Sequence, residues 1–323
     1  MHHYRGLVHV CVFVLIVFAS FGNSYNPFQT NEAKTFSQTV SKVAKQEDAL
    51  YQKIKRKRSS YEAEPENAVI HKVWKKMPGI NGLKVNVSQS YEQMKEEGGF
   101  DETLLTYEQI PPEISMDDLP SAPIYRGHPE KNMVALLFNV SWGGKYIPSI
   151  LTTLKETGVK ATFFIEGKWA KTHSDYVKMI KEQGHSIGNH AYNHPDMARL
   201  SNEETGTQLT RTNEILKAIT GDMPKWFAPP SGSYSEQTVT AASKKGLNTI
   251  LWTVDTIDWK NPSLSVMMNR VMNNIHPGAT VLMHPTPSVA KNLDPLIARI
   301  KDKGYKLGTI DELLNEERPH TLQ

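Results

Sequence analysis

The chain is nearly devoid of cysteine: 323 residues hold one, Cys11. A lone thiol excludes an internal disulfide and every zinc site built on two or more cysteines, so a metal here would rest on histidine and carboxylate ligands. Surplus charge of one sign is also missing. Lys and Arg total 37 against 34 for Asp and Glu, a formal net charge of +3, which is too small a surplus to argue for a nucleic-acid partner. Long apolar runs are absent except for one, Leu7 to Ala19, broken only by His9, preceded by Arg5 and followed by Gly22, Asn23 and Ser24. It falls short of the ~20 residues of a spanning helix and has the charged, apolar and small-residue zones of a secretory signal, with an uncleaved membrane anchor as the alternative. Either reading exports the bulk of the protein. What remains is ordinary for a globular chain, 39% hydrophobic and 22% charged, which excludes wholesale disorder and a multi-span membrane protein.

Beyond the signal (1–24), residues 25–66 read as a helical extension and linker. Phe36, Val40, Val43, Leu50 and Ile54 form a thin apolar stripe at helical spacing. The basic run Lys53 to Arg58 reads as a helix end complementing the macrodipole. Residues 67–130 read as a small α+β module, with strands at Val73-Trp74 and Leu83–Val87, a helix over Ser88–Glu97 and a Pro-rich connector from Ile110 to Pro123. Residues 131–323 have another rhythm. Strand-like runs at 134–139, 161–165, 186–189, 226–228, 248–255, 279–284 and 305–310 alternate with helical stretches, giving about seven β/α units. That is short of the ~250 residues of a complete eight-unit barrel, so the spacing predicts a smaller, deformed barrel of parallel strands with its chemistry at the strand C-termini.

Five polar clusters fall at those ends: Asn139–Gly143, His190–His194, Ala228–Ser233, Asp255–Trp259 and Leu282–Pro285. His190 and His194 form an H-x3-H pair able to supply two imidazoles to a divalent metal, or merely to bond loop backbone. Asp255 and Asp258 bracket a turn. One carboxylate is able to orient His284 as an acid; alternatively Asp258 caps the turn and Asp255 makes a structural salt bridge.

The run V-A-L-L-F-N-V-S-W-G-G, with G-H-S-I-G-N-H-A-Y-N-H-P, W-F-A-P-P-S-G, V-D-T-I-D-W and V-L-M-H-P, resembles the NodB-homology polysaccharide deacetylases, including sporulation-associated members from Bacillus-like bacteria. The resemblance spans about Asn132 to Leu314. It implies a deformed (β/α) barrel that removes acetyl groups from N-acetylated glycan, peptidoglycan or chitin-like, with a divalent metal, usually zinc. Carried onto this chain, it makes His190 and His194 metal ligands, His284 the acid for the leaving amine, Asp255 its tuning carboxylate, and Trp259, Leu282 and Pro229 substrate contacts. Three positions depart from the family. Asn139 stands where the family has its base aspartate, Val140 where it has the third ligand, and Ala228 where it has an arginine that orients the base. An amide takes no proton near neutral pH, and losing a general base costs about 10²–10⁴-fold. Two neutral imidazoles alone hold a metal weakly or not at all. The expectation is therefore a slow, divergent deacetylase or an inactive glycan-binding protein of the cell envelope or spore.

Overall fold

The computed structural model describes residues 48–319. The segment read as a signal and the front of the Phe36–Ile54 stripe lie outside the described residues. The described residues divide into two compact units, one holding residues 48–61 together with Val85–Thr106, the other holding Glu62–Lys84 and residues 107–319.

In the smaller unit, helices α1 (Ala49–Lys57) and α2 (Val87–Met94) start where Asp48 and Asn86 accept hydrogen bonds from the amides of Leu50 and Gln89. They bury Ile54 and Met94 completely. The basic run does end a helix, and the Lys57 ammonium lies 4.6 Å from the Phe100 ring centre.

The larger unit opens with a hairpin, β1 (Val69–His71) antiparallel to β2 (Lys75–Met77), so Val73 and Trp74, expected as a strand, form the turn instead. Strands β3 (Gly82–Val85) and β4 (Tyr107–Ile110) pair separately. The main sheet is wholly parallel, built from β5 (Met133–Val140), β6 (Thr162–Ile165), β7 (Ser186–Asn189), β8 (Trp226–Phe227), β9 (Asn248–Thr249), β10 (Val254–Asp255), β11 (Thr280–Met283) and β12 (Lys306–Gly308). Its order is β10-β11-β5-β6-β7-β8-β9, with β12 on β5. The run 248–255, expected as one strand, is two strands at opposite edges of the sheet. Only residues 250–253 join them, a span of at most about 17 Å for an extended chain. The edges must therefore curl toward each other, which makes the sheet a barrel with an open seam.

Alternation along β5 sets the layers. Val134, Leu136, Phe138 and Val140 pack outward with Phe163, Ile165 and residues of the helices that follow β5, β6 and β11. Ala135 and Leu137 point inward with Phe164, Trp226 and Ile250. This inner core also takes Ala68, Met116 and Ile124 from the segment ahead of the barrel, and Ile124 bridges to Ile250. The boundary expected near residue 131 is thus displaced: side chains from 62–84 and 107–130 fill the interior that the short barrel strands leave open.

Candidate functional site

A cleft of about 430 Å³ opens at the C-terminal strand ends, lined by Asn139, Ser141, Trp142, His190, His194, Ser231, Trp252, Asp255, Trp259, Leu282 and His284. This lies within the size range of small-ligand sites. Each of the five sequence clusters contributes. The loops that carry them are held in costly backbone conformations: Ala191, His194, Ser231 and Ile257 have φ of 60, 57, 54 and 50°, and such non-glycine residues persist only where packing overrides the strain.

Asn189 shows how one loop is fixed. Fully buried at the end of β7, its Nδ2 donates to Leu209 O and Asn213 Oδ1, and its Oδ1 accepts from the Ala191 amide at 2.8 Å. The next residue, His190, is buried and donates from Nδ1 to Ala228 O at 2.7 Å. A carbonyl only accepts, so Nε2 carries the lone pair. Burial pushes the imidazole down to about 3. His194 sits exposed at the rim with its ring centre 5.3 Å from that of His190. Partial desolvation, and to a lesser degree His284, also hold it below the ordinary imidazole value.

Across the cleft the two aspartates exchange the roles expected of them. Asp258, not Asp255, orients His284: its buried carboxylate accepts from His284 Nδ1 at 2.9 Å, from the His284 amide at 2.8 Å and from Thr286 Oγ1 at 3.1 Å. Asp255 caps the turn by accepting from the Ile257 amide at 2.8 Å, and the same carboxylate lines the cleft. The physical reason is the left-handed Ile257, which turns the chain back so that the second carboxylate reaches the imidazole.

Trp142 was not singled out in the sequence, and its ring lies parallel to that of His284, 6.1 Å away at 10°. Gly143 makes this approach possible: with φ of 76° it packs so closely that a Cβ would lie 2.0 Å from Pro285 O. Trp259 and Leu282 line the cleft as expected. Pro229 is buried, and Ser231 lines the cleft from its loop instead. Trp142 stands within the first of the five sequence clusters, whereas Trp252, which also lines the cleft, lies outside all of them.

The donor set does not complete a metal site. Among the described residues no group of three or more His, Cys, Asp or Glu is placed to hold an ion. Val140, which the resemblance aligns with a third ligand, packs into the outer core. Asn139 reaches the cleft, but its Oδ1 is buried without a hydrogen-bond partner among the described residues. Ala228 leaves no guanidinium to orient a base.

The family model for polysaccharide deacetylase matches residues 126–250. The chain is 46% identical over 315 residues to the uncharacterized protein YlxY of Bacillus subtilis, covering 98% of this chain and 99% of that one. It is 35% identical over 199 residues to a peptidoglycan-N-acetylglucosamine deacetylase of Bacillus cereus, covering 60% of this chain and 72% of that one. A CE4 family pseudoenzyme from Bacillus anthracis superposes with a TM-score of 0.81 at 48% identity, over 84% of this chain and 97% of that one. A mutant of that pseudoenzyme with restored enzymatic activity matches with a TM-score of 0.80 at 47% identity, over 84% of this chain and all of that one. With a near-full-length relative, a parallel half-barrel and a degenerate cleft all in agreement, the chain belongs to the polysaccharide deacetylase family.

Proposed function

We propose that this protein is an exported glycan-binding member of the family, acting at the cell wall or spore cortex, in which deacetylation is lost or reduced to a trace. The observation that carries the reading is the pair at the end of β5: an amide where a base is needed and a valine packed into the core where a ligand is needed. A cleft flanked by exposed indoles, Trp142 and Trp259, supports retained binding of sugar rings. The peptidoglycan deacetylase among the relatives supports a wall glycan as the class of ligand. The apolar run Leu7–Ala19 supports export, and among the described residues no helix is long and apolar enough to cross a membrane.

The Asp258–His284 pair favours one second reading, a slow hydrolase, because an oriented imidazole is what protonation of a leaving amine needs. Acetate release from N-acetylglucosamine oligomers separates the two. The native protein is expected to release none above a blank, with or without added zinc. The combined Asn139→Asp and Val140→Asp change is expected to raise release well above either single change, because base and ligand serve one step. Brisk release by the native protein, indifferent to loss of His190, would end the binding reading.

A further inference from the structure

The floor of the cleft is rich in hydrogen-bond acceptors, which stand beside the donors of the Asn139 amide, the Ser141 and Ser231 hydroxyls and the indole N–H groups. Asn139 Oδ1 has no donor among the described residues. His190 spends its one N–H on Ala228 O, so Nε2 is an acceptor. Asp255 contributes a carboxylate, one oxygen of which takes the Ile257 amide while the remaining capacity is unclaimed by any hydrogen bond among the described residues. No Lys or Arg stands among the described lining residues, and three of those residues are tryptophans, Trp142, Trp252 and Trp259.

An acetamido group fits this floor poorly. It brings a single N–H and no charge, which leaves most of these acceptors and the Asp255 carboxylate without a donor, and an acceptor without a donor in a desolvated site is costly. A protonated sugar amine fits it well. It brings three N–H donors and a positive charge to neutral lone pairs, a carboxylate and indole faces, which attract cations through the ring quadrupole. The pyranose ring carrying that amine presents polarised C–H bonds to the same indoles.

We infer that the cleft recognises the protonated amine of a de-N-acetylated amino sugar, a glucosamine-type residue within a glycan, in preference to its N-acetylated form. This rests on the glycan-binding reading above and reverses its expected ligand: the protein reads the product of deacetylation. Its place is then downstream of an N-deacetylation that some other catalyst performs.

Titration calorimetry of the full chain in chelator, at a pH where the sugar amine is charged, tests this with tetramers of glucosamine and of N-acetylglucosamine. The glucosamine tetramer is expected to bind at least ten-fold tighter. Asn139→Leu and Asp255→Asn, each confirmed as folded by circular dichroism, are expected to cut that preference at least three-fold, while Trp142→Ala weakens both ligands together. Equal or tighter binding of the acetylated tetramer overturns the inference and leaves the glycan reading standing. A preference that survives both substitutions is undirected charge attraction and also overturns it. Failure of both tetramers to bind removes the glycan reading itself, and the inference with it.

Discussion

Asp258 anchors one wall of the cleft, because three donors converge on a carboxylate with no exposed surface. Removing it by Asp258→Ala strands all three, and breaking a buried pair of this kind costs about 3–5 kcal/mol. The expected loss in a urea titration is of that size, whereas Asp255→Asn, which keeps an oxygen for the Ile257 amide, is expected to cost under about 1 kcal/mol. Equal costs would mean that the two carboxylates are interchangeable. Gly143 is the second residue whose chemistry is fixed by a neighbour. Gly143→Ala places a methyl group against Pro285 O and strains a left-handed backbone, so it is expected to destabilise by more than about 1 kcal/mol. It should also separate Trp142 from His284, seen as a change in indole fluorescence relative to the unsubstituted protein. Both aspartates are visible in D-T-I-D-W, but their ranking is not, since it depends on a left-handed conformation that nothing about isoleucine predicts.

At the scale of elements, the helices were the most legible. The stretch Asn202–Thr220 opens on a reciprocal Ser201–Glu204 capping box and closes on Gly221 in the left-handed conformation, and these local signals stand in the sequence. The strands were less so. Asn248–Asp255 has a continuous apolar-polar rhythm, yet its two ends pair with β8 and β11 at opposite edges of the sheet, a long-range choice that no local pattern encodes. The segment ahead of the barrel is the clearest correction. Ala68, Met116 and Ile124 lie in the inner core, with Ile124 wholly buried. A chain beginning at Tyr125 loses all three, and at about 1.5–3 kcal/mol for each large buried side chain it is expected to be less stable than one beginning at Glu62 by more than about 3 kcal/mol. Chemical denaturation of the two truncations checks this, and matching midpoints would show that the plug is dispensable.

For the whole molecule, acid sensitivity follows from two imidazoles at opposite ends of β7. Burial pushes His185 down to about 4 and His190 down to about 3. In the unfolded chain each takes a proton near the ordinary value of about 6.5, so below that pH the unfolded state binds more protons and is favoured. Stability is therefore complete above about pH 6.5 and declines as pH falls toward the folded values. At pH 5 each imidazole costs about 2 kcal/mol. Urea titrations at pH 7 and pH 5 are expected to show the loss, with His185→Gln recovering about 2 kcal/mol of it; an unchanged difference would mean that His185 is protonated in the folded state.

Local chemistry was enough to determine the repeating β/α rhythm, the helix caps and the five clusters at strand ends. Each of these is a property of residue type and short-range spacing, which the chain carries whether folded or not. The tertiary structure decided the rest: which aspartate meets His284, that Val140 packs outward, that Trp142 stands over the imidazole, and that residues ahead of the barrel plug its interior. All of these depend on contacts between residues far apart in the chain, or on backbone conformations that only the packed neighbours make affordable.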